Sequence, residues 1–189
     1  MEIWSSIIEY DKQLLLYLHS QGSPFWDSFW LFITTPVNWI PLFIVIFYLG
    51  YIKFRLKKAL LITLFVGLGA ASALGIVNLI KNSVQRLRPI NDSSLNTNIR
   101  SLIEHTDFSF VSGHSAVSFT IAFISFWVLK KHYKWIWLIF LFPILFAYSR
   151  VYLAAHFPID ITVGMLLGYL VALVFYTLIK KVVILKSTF

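Results

Sequence analysis

Long uncharged stretches alternate with short polar ones along this chain. Five stand out, at residues 28–52, 59–80, 115–129, 135–149 and 161–179. A helix needs about 20 residues, at about 1.5 Å each, to cross hydrocarbon. The third and fourth stretches are shorter but extend. Back to Phe108 the third meets only His114, and the fourth runs past Arg150 toward Tyr152. Backbone in lipid must satisfy its own hydrogen bonds, so each stretch is expected to be helical. The pattern therefore predicts an all-α, polytopic membrane helix bundle of about five transmembrane helices, as one domain over residues 1–189. Residues 3–20 mix apolar positions with three charges, which suits an amphipathic helix on the membrane interface; a sixth span there is the alternative.

Small and cyclic residues refine the picture. Pro36, Pro41 and Pro143 are expected to kink helices or mark breaks. Gly67, Gly69, Ala70, Ala71, Ala73 and Gly75 punctuate the second stretch, and Gly164 and Gly168 the fifth. Close packing within one chain is the expectation, and dimerisation through Gly164 and Gly168 the alternative. Oligomeric state does not follow from the sequence.

Charge then orients the bundle. Lys53, Arg55, Lys57 and Lys58 separate the first two stretches, Lys130, Lys131 and Lys134 the third and fourth, and Lys180, Lys181 and Lys186 follow the fifth. With five spans these ten of sixteen basic residues share one side, and all eight acids lie on the other. The positive-inside rule makes the basic side cytoplasmic. The face carrying 81–114 and the end of the fourth span then looks outward, toward the periplasm or cell exterior, from a bacterial-type cytoplasmic membrane.

Composition supports a lipid-covered chain. Of 189 residues 59% are hydrophobic and 13% charged, against about a quarter charged in soluble domains. A net charge of +8 that sits at span ends reads as topology rather than nucleic-acid binding. There are no cysteines, which excludes disulfides and thiolate chemistry. Glu2 and Glu9 replace the basic n-region of a signal peptide, so a cleaved leader is not expected. Trp26, Trp30, Trp39, Trp127, Trp135 and Trp137 lie near span ends, as an aromatic belt would. Arg86 and Arg100 read as interfacial anchors, with contact to lipid phosphate or substrate as the alternative, and His19, His105 and His132 as ordinary loop or interface residues.

The outward face gathers the remaining polar groups. Lys81, Arg88 and Arg150 supply positive charge suited to a phosphate dianion. Ser112 and Gly113 precede a helix, where free N–H groups and the dipole attract an anion, and Gly113 lets the backbone come close. His156 stands four residues before Asp160, so in a helical start both face one way. Asp160 accepting from one ring nitrogen would orient the other as a nucleophile. A protonated His114 would donate to the departing oxygen and later activate water. Three cations nearby would repel a divalent ion, so neither a metal nor another cofactor is expected.

At these residues the sequence resembles the type 2 phosphatidic acid phosphatase superfamily. Lys81, six residues and Arg88-Pro89 match its first motif. Ser112-Gly113-His114 match the second, with Val111 where proline is usual; valine keeps an N–H and adds freedom to the loop. Ser149-Arg150, His156 and Asp160 match the third. The resemblance implies a metal-independent phosphohydrolase with an all-helical core. It implies His156 as nucleophile, His114 as acid and Asp160 as its orienter, with Lys81, Arg88, Ser112, Gly113 and Arg150 on phosphate. The superfamily also contains soluble vanadate-dependent haloperoxidases; an apolar chain favours the lipid phosphatase branch. By analogy the expected partner is a lipid phosphate or diphosphate in the bilayer. Undecaprenyl diphosphate comes first, with phosphatidylglycerophosphate and the phosphate of lipid A as alternatives. A reading of another class is a lipid transporter or phosphate-binding membrane protein, for which the two histidines and Asp160 have no use.

Overall fold

The computed structural model of the chain describes residues 2–95, 99–100, 102–104 and 107–184; His105 and Lys186 lie outside the described residues. Among the described residues there are helices and no strand. The principal helices are α1 (Glu2–Ser20), α2 (Pro24–Ile33), α3 (Ile40–Val84), α4 (Gly113–Leu129), α5 (Leu141–Tyr152) and α6 (Pro158–Ile179). Two apolar helical runs, Pro36–Asn91 and Pro158–Val183, are long enough to cross a membrane, and Gly113–Leu129 and Ile136–Tyr152 are shorter apolar runs. Together they fit a membrane helix bundle.

The first expected span is not one helix. Residues 28–52 are divided among α2, a 3-10 turn at Pro36–Trp39 and the start of α3. The cause is Pro36, whose ring disfavours helical backbone in the preceding residue. Thr35 is accordingly extended, at φ −85° and ψ 115°. Pro41 and Pro143 lie in the first turns of α3 and α5, just where a 3-10 segment gives way to each helix. The charged gap between the first two stretches is tighter than a loop. α3 breaks at Arg55 alone, with φ 61° and ψ 169°. The two limbs share a core, since Leu49 and Ile62 both pack with Ile124 and Val128 of α4.

α4 is the central helix and touches α3, α5 and α6. Its contact with α6 explains two glycines. A Cβ on Gly164 would stand 2.7 Å from the Ser112 carbonyl, and one on Gly168 would stand 2.5 Å from that of Ala116. The two backbones therefore meet directly, and these glycines serve packing within the chain. Gly69 is likewise closed in by Ile124 and Phe175, whereas Gly67 and Gly75 face open space. The basic turns converge at the end away from α1: the Tyr133 hydroxyl donates to the Leu49 carbonyl at 3.1 Å, and Phe54 meets His132 edge-on. α1 lies at the opposite end against α5 and α6, with Leu15 buried and Ile3, Trp4 and Tyr10 exposed.

Candidate active site

The polar ends of α3, α4, α5 and α6 meet around a cavity of about 430 Å³. Six sequence-nominated residues line it: Lys81, Arg88, Gly113, His114, Arg150 and His156. Its apolar lining includes the mutually packed rings of Trp39, Phe43, Phe142 and Phe146. The two histidines thus open onto a common space, and the His114 ring lies 4.7 Å from that of Phe146.

His156 sits in the turn between α5 and α6 and is 1% exposed. Its Nε2 is 3.3 Å from Arg88 Nη1. A guanidinium only donates, so Nε2 is the accepting, unprotonated nitrogen, and the proton belongs to Nδ1. Nδ1 faces Asp160 Oδ2 at 3.5 Å, which is longer than a hydrogen bond. Burial above all, then the charges of Arg88, Arg150 and Lys81, holds the imidazole well below its ordinary pKa. A neutral imidazole with a lone pair aimed into a cationic cavity is the form a nucleophile requires.

Asp160 and Ser112 stand behind the cavity wall. Asp160 Oδ2 accepts from the Phe157 N–H at 2.9 Å, and its Oδ1 from Arg86 Nη1 at 2.8 Å. The Ser112 N–H, expected to be available to an anion, donates instead to the Asp160 carbonyl at 3.0 Å. The Ser112 hydroxyl caps α4 by accepting from the Ser115 N–H at 3.4 Å. Ser112 therefore ties α4 to α6, and Gly113 is the residue of that pair on the cavity. Val111 is completely buried.

Several participants escaped the sequence. Asp107 takes Lys81 Nζ at 2.6 Å and Arg88 at 2.8 Å, so a carboxylate sits on two of the three cationic phosphate-binding candidates. Burial opposes its ionisation, but the bonds from Arg88 and Lys81 prevail and hold its pKa well below the carboxylate range. Thr34, in the break before Pro36, accepts from Arg150 Nη1 at 2.6 Å. Arg86 is no interfacial anchor: it bridges Asp160 and Asp11. Arg100 likewise pairs with Asp27 at 2.9 Å. His19 is 2% exposed; its Nδ1 lies 2.7 Å from the Tyr152 carbonyl, and its Nε2 accepts the Arg100 N–H at 3.0 Å. Trp39 leaves the aromatic belt to pack at 4.6 Å on Phe142. No local pattern announces these pairs, whose members lie 19 to 133 residues apart. Among the described residues no group of three His, Asp or Glu side chains converges as a metal ion would need.

The sequence profile of the PAP2 superfamily matches residues 60–184, which contain every motif residue of the cavity. The chain belongs to the PAP2 superfamily. Among similar proteins, the lipid A 4'-phosphatase of Bacteroides thetaiotaomicron is 30% identical over 175 residues, covering 90% of this PAP2 chain and 77% of that protein. The undecaprenyl-diphosphatase of Sulfolobus acidocaldarius is 33% identical over 133 residues, 69% of this chain and 58% of its own length. The crystal structure of a transmembrane PAP2-type phosphatidylglycerolphosphate phosphatase from Bacillus subtilis superposes with a TM-score of 0.72. It covers 94% of this chain and 88% of its own at 22% identity, a likeness of fold.

Proposed function

We propose that this PAP2 protein is a metal-independent lipid phosphate phosphatase that works through a phospho-histidine, as a single membrane domain with five spans. The observation that carries the reading is the unprotonated Nε2 of His156, aimed at Arg88 in a cavity shared with His114, Lys81 and Arg150. Nε2 attacks phosphorus, an N–P bond forms, and the P–O bond to the lipid breaks. His114 gives its proton to the departing oxygen. Asp160, next to Nδ1, offsets the positive charge left on the ring. Water, deprotonated by His114, then cleaves the N–P bond and releases phosphate. Lys81, Arg88 and Arg150 stabilise charge on the phosphoryl oxygens throughout.

The apolar walls beside the cationic floor suit a headgroup whose tail stays in hydrocarbon. The basic turns lie at the far end of the bundle, and with the positive-inside rule this supports a cavity that faces outward from a cytoplasmic membrane. Undecaprenyl diphosphate is the favoured substrate, with lipid A phosphate and phosphatidylglycerophosphate next. Released phosphate should be measured for purified protein with each lipid, with and without EDTA. One lipid should be turned over fastest, EDTA should change nothing, and His156→Ala should lose more than about 10⁴-fold, as expected for a nucleophile within a catalytic unit. Undiminished hydrolysis by His156→Ala would refute the mechanism, and equal rates on all three lipids the substrate assignment.

A further inference from the structure

Behind His156, Asp160 belongs to a charged cluster whose other members, Arg86 and Asp11, the reaction scheme does not use. Arg86 donates from Nη1 to Asp160 Oδ1 at 2.8 Å and from Nη2 to Asp11 Oδ2 at 2.7 Å. Its guanidinium lies 3.8 Å from the centre of the Phe157 ring. Both carboxylates are fully buried, while Arg86 keeps 22% of its side chain exposed. Asp11 also accepts the Ile159 N–H at 2.9 Å, in the first turn of α6. A side chain of α1 is thereby fixed to the turn that carries the nucleophile.

The charges of this cluster matter as much as its bonds. Isolated ions are costly to bury, so Asp160 alone would tend to neutralise or move out. Paired only with Arg86, it would stay ionised, but the pair would be neutral and would have little to offer a cationic imidazole. With both carboxylates ionised on one guanidinium, the cluster would carry one net negative charge. That charge stands 3.5 Å from His156 Nδ1, the nitrogen that shares the positive charge when Nε2 takes a phosphoryl group.

Resting on the phosphatase reading above, we propose that Asp11 and Arg86 are positioning residues for the reaction. Arg86 keeps Asp160 ionised and fixed, and Asp11 restores the negative charge that stabilises the phospho-imidazolium. The N-terminal helix α1 is then part of the catalytic apparatus rather than only an interfacial anchor.

Asp11→Asn and Arg86→Gln separate this from a purely structural role. Neither touches the cavity, where Lys81, Arg88 and Arg150 bind phosphate. Both should lower kcat, Arg86→Gln by about 10²-fold, the usual scale for a misplaced reacting group, and Asp11→Asn by about tenfold. KM and inhibition by inorganic phosphate should stay within about threefold of wild type. Because phosphorylation itself is slowed, rapid-quench formation of phospho-enzyme should fall in step with kcat. Arg86→Lys, which keeps the charge but contacts one carboxylate, should recover part of the loss. Wild-type kcat in Arg86→Gln overturns the proposal. So does a matching loss of phosphate inhibition in folded protein, which would mean that the variant disturbs the cradle. If Arg86→Gln fails to fold, the isosteric Asp11→Asn decides alone, and an unchanged kcat there overturns it. His156→Ala is the separate control: activity retained in that variant would remove the underlying phosphatase mechanism, whatever Arg86 does.

Discussion

The two ends of this bundle use the same kinds of cation in opposite ways. At the cavity end, Lys12, Lys81, Arg86, Arg88 and Arg100 each reach a carboxylate at 2.6–2.9 Å. At the far end, Lys53, Lys130 and Lys180 lie 5.5–5.9 Å over the rings of Tyr133, Phe126 and Tyr176. All eight acids of the sequence belong to the first arrangement or its side of the chain. Charges that only mark topology can stay hydrated and rest on aromatic edges at little cost. Of the cavity cations, Lys81 and Arg88 keep a carboxylate partner, while Arg150 donates to the Thr34 hydroxyl. Composition alone treats both sets as snorkelling residues; motif spacing sets Lys81 and Arg88 apart, and only their partners do so for Arg86 and Arg100.

Substitution of one cation from each end exposes the contrast, and the cavity end should show the largest effect. Arg88→Ala removes a donor to the phosphoryl oxygens and should cost about 2.7–4 kcal/mol in the transition state, a loss of 10²–10³-fold in kcat/KM. A loss under tenfold in steady-state assays would mean that Arg88 serves only Asp107.

A pH profile probes the same end without mutation. The active His156 is neutral, and its environment lowers its pKa, so it takes up a proton only below the ordinary imidazole range. The acid limb of kcat/KM should therefore fall below about pH 6.5, the unperturbed value. A limb at or above that value would contradict the buried, cation-flanked imidazole.

The packing between α4 and α6 supports both ends and predicts a smaller effect. Gly168→Val places a Cβ against the Ala116 carbonyl and should destabilise the fold by about 1–3 kcal/mol. A lowered Tm in detergent checks this; an unchanged Tm would show that the helices separate freely. At the far end, Lys130→Ala should cost no more than about 1 kcal/mol through its ring contact and leave kcat unaltered. A drop in kcat there would erase the distinction between the two ends.

The sequence made the helical scaffold legible because hydrocarbon permits little else. Apolar length marked the helices of the bundle, and basic turns marked which ends meet. It also placed six cavity residues, because short motifs at helix ends survive folding as local geometry. What it hid depends on distant partners. Arg86 looked like an anchor because Asp11 and Asp160 are 75 and 74 residues away. Asp107 and Thr34 carry no local sign that a cation will reach them. Ser112 was assigned to phosphate because a residue before a helix offers a free N–H, yet the Asp160 carbonyl takes that N–H first. The break before α3 was foreshadowed by Pro36, but uniform hydropathy across 28–52 concealed that the chain turns there.

One experiment reaches the chemistry itself. Purified protein is mixed with lipid carrying radiolabelled phosphate, quenched within one turnover, and digested at alkaline pH, where phospho-histidine survives. The label should appear on a peptide containing His156, be lost in acid, and be absent from His156→Ala. Label on any other residue, or steady turnover with no trapped phospho-enzyme at all, would contradict nucleophilic attack by this imidazole.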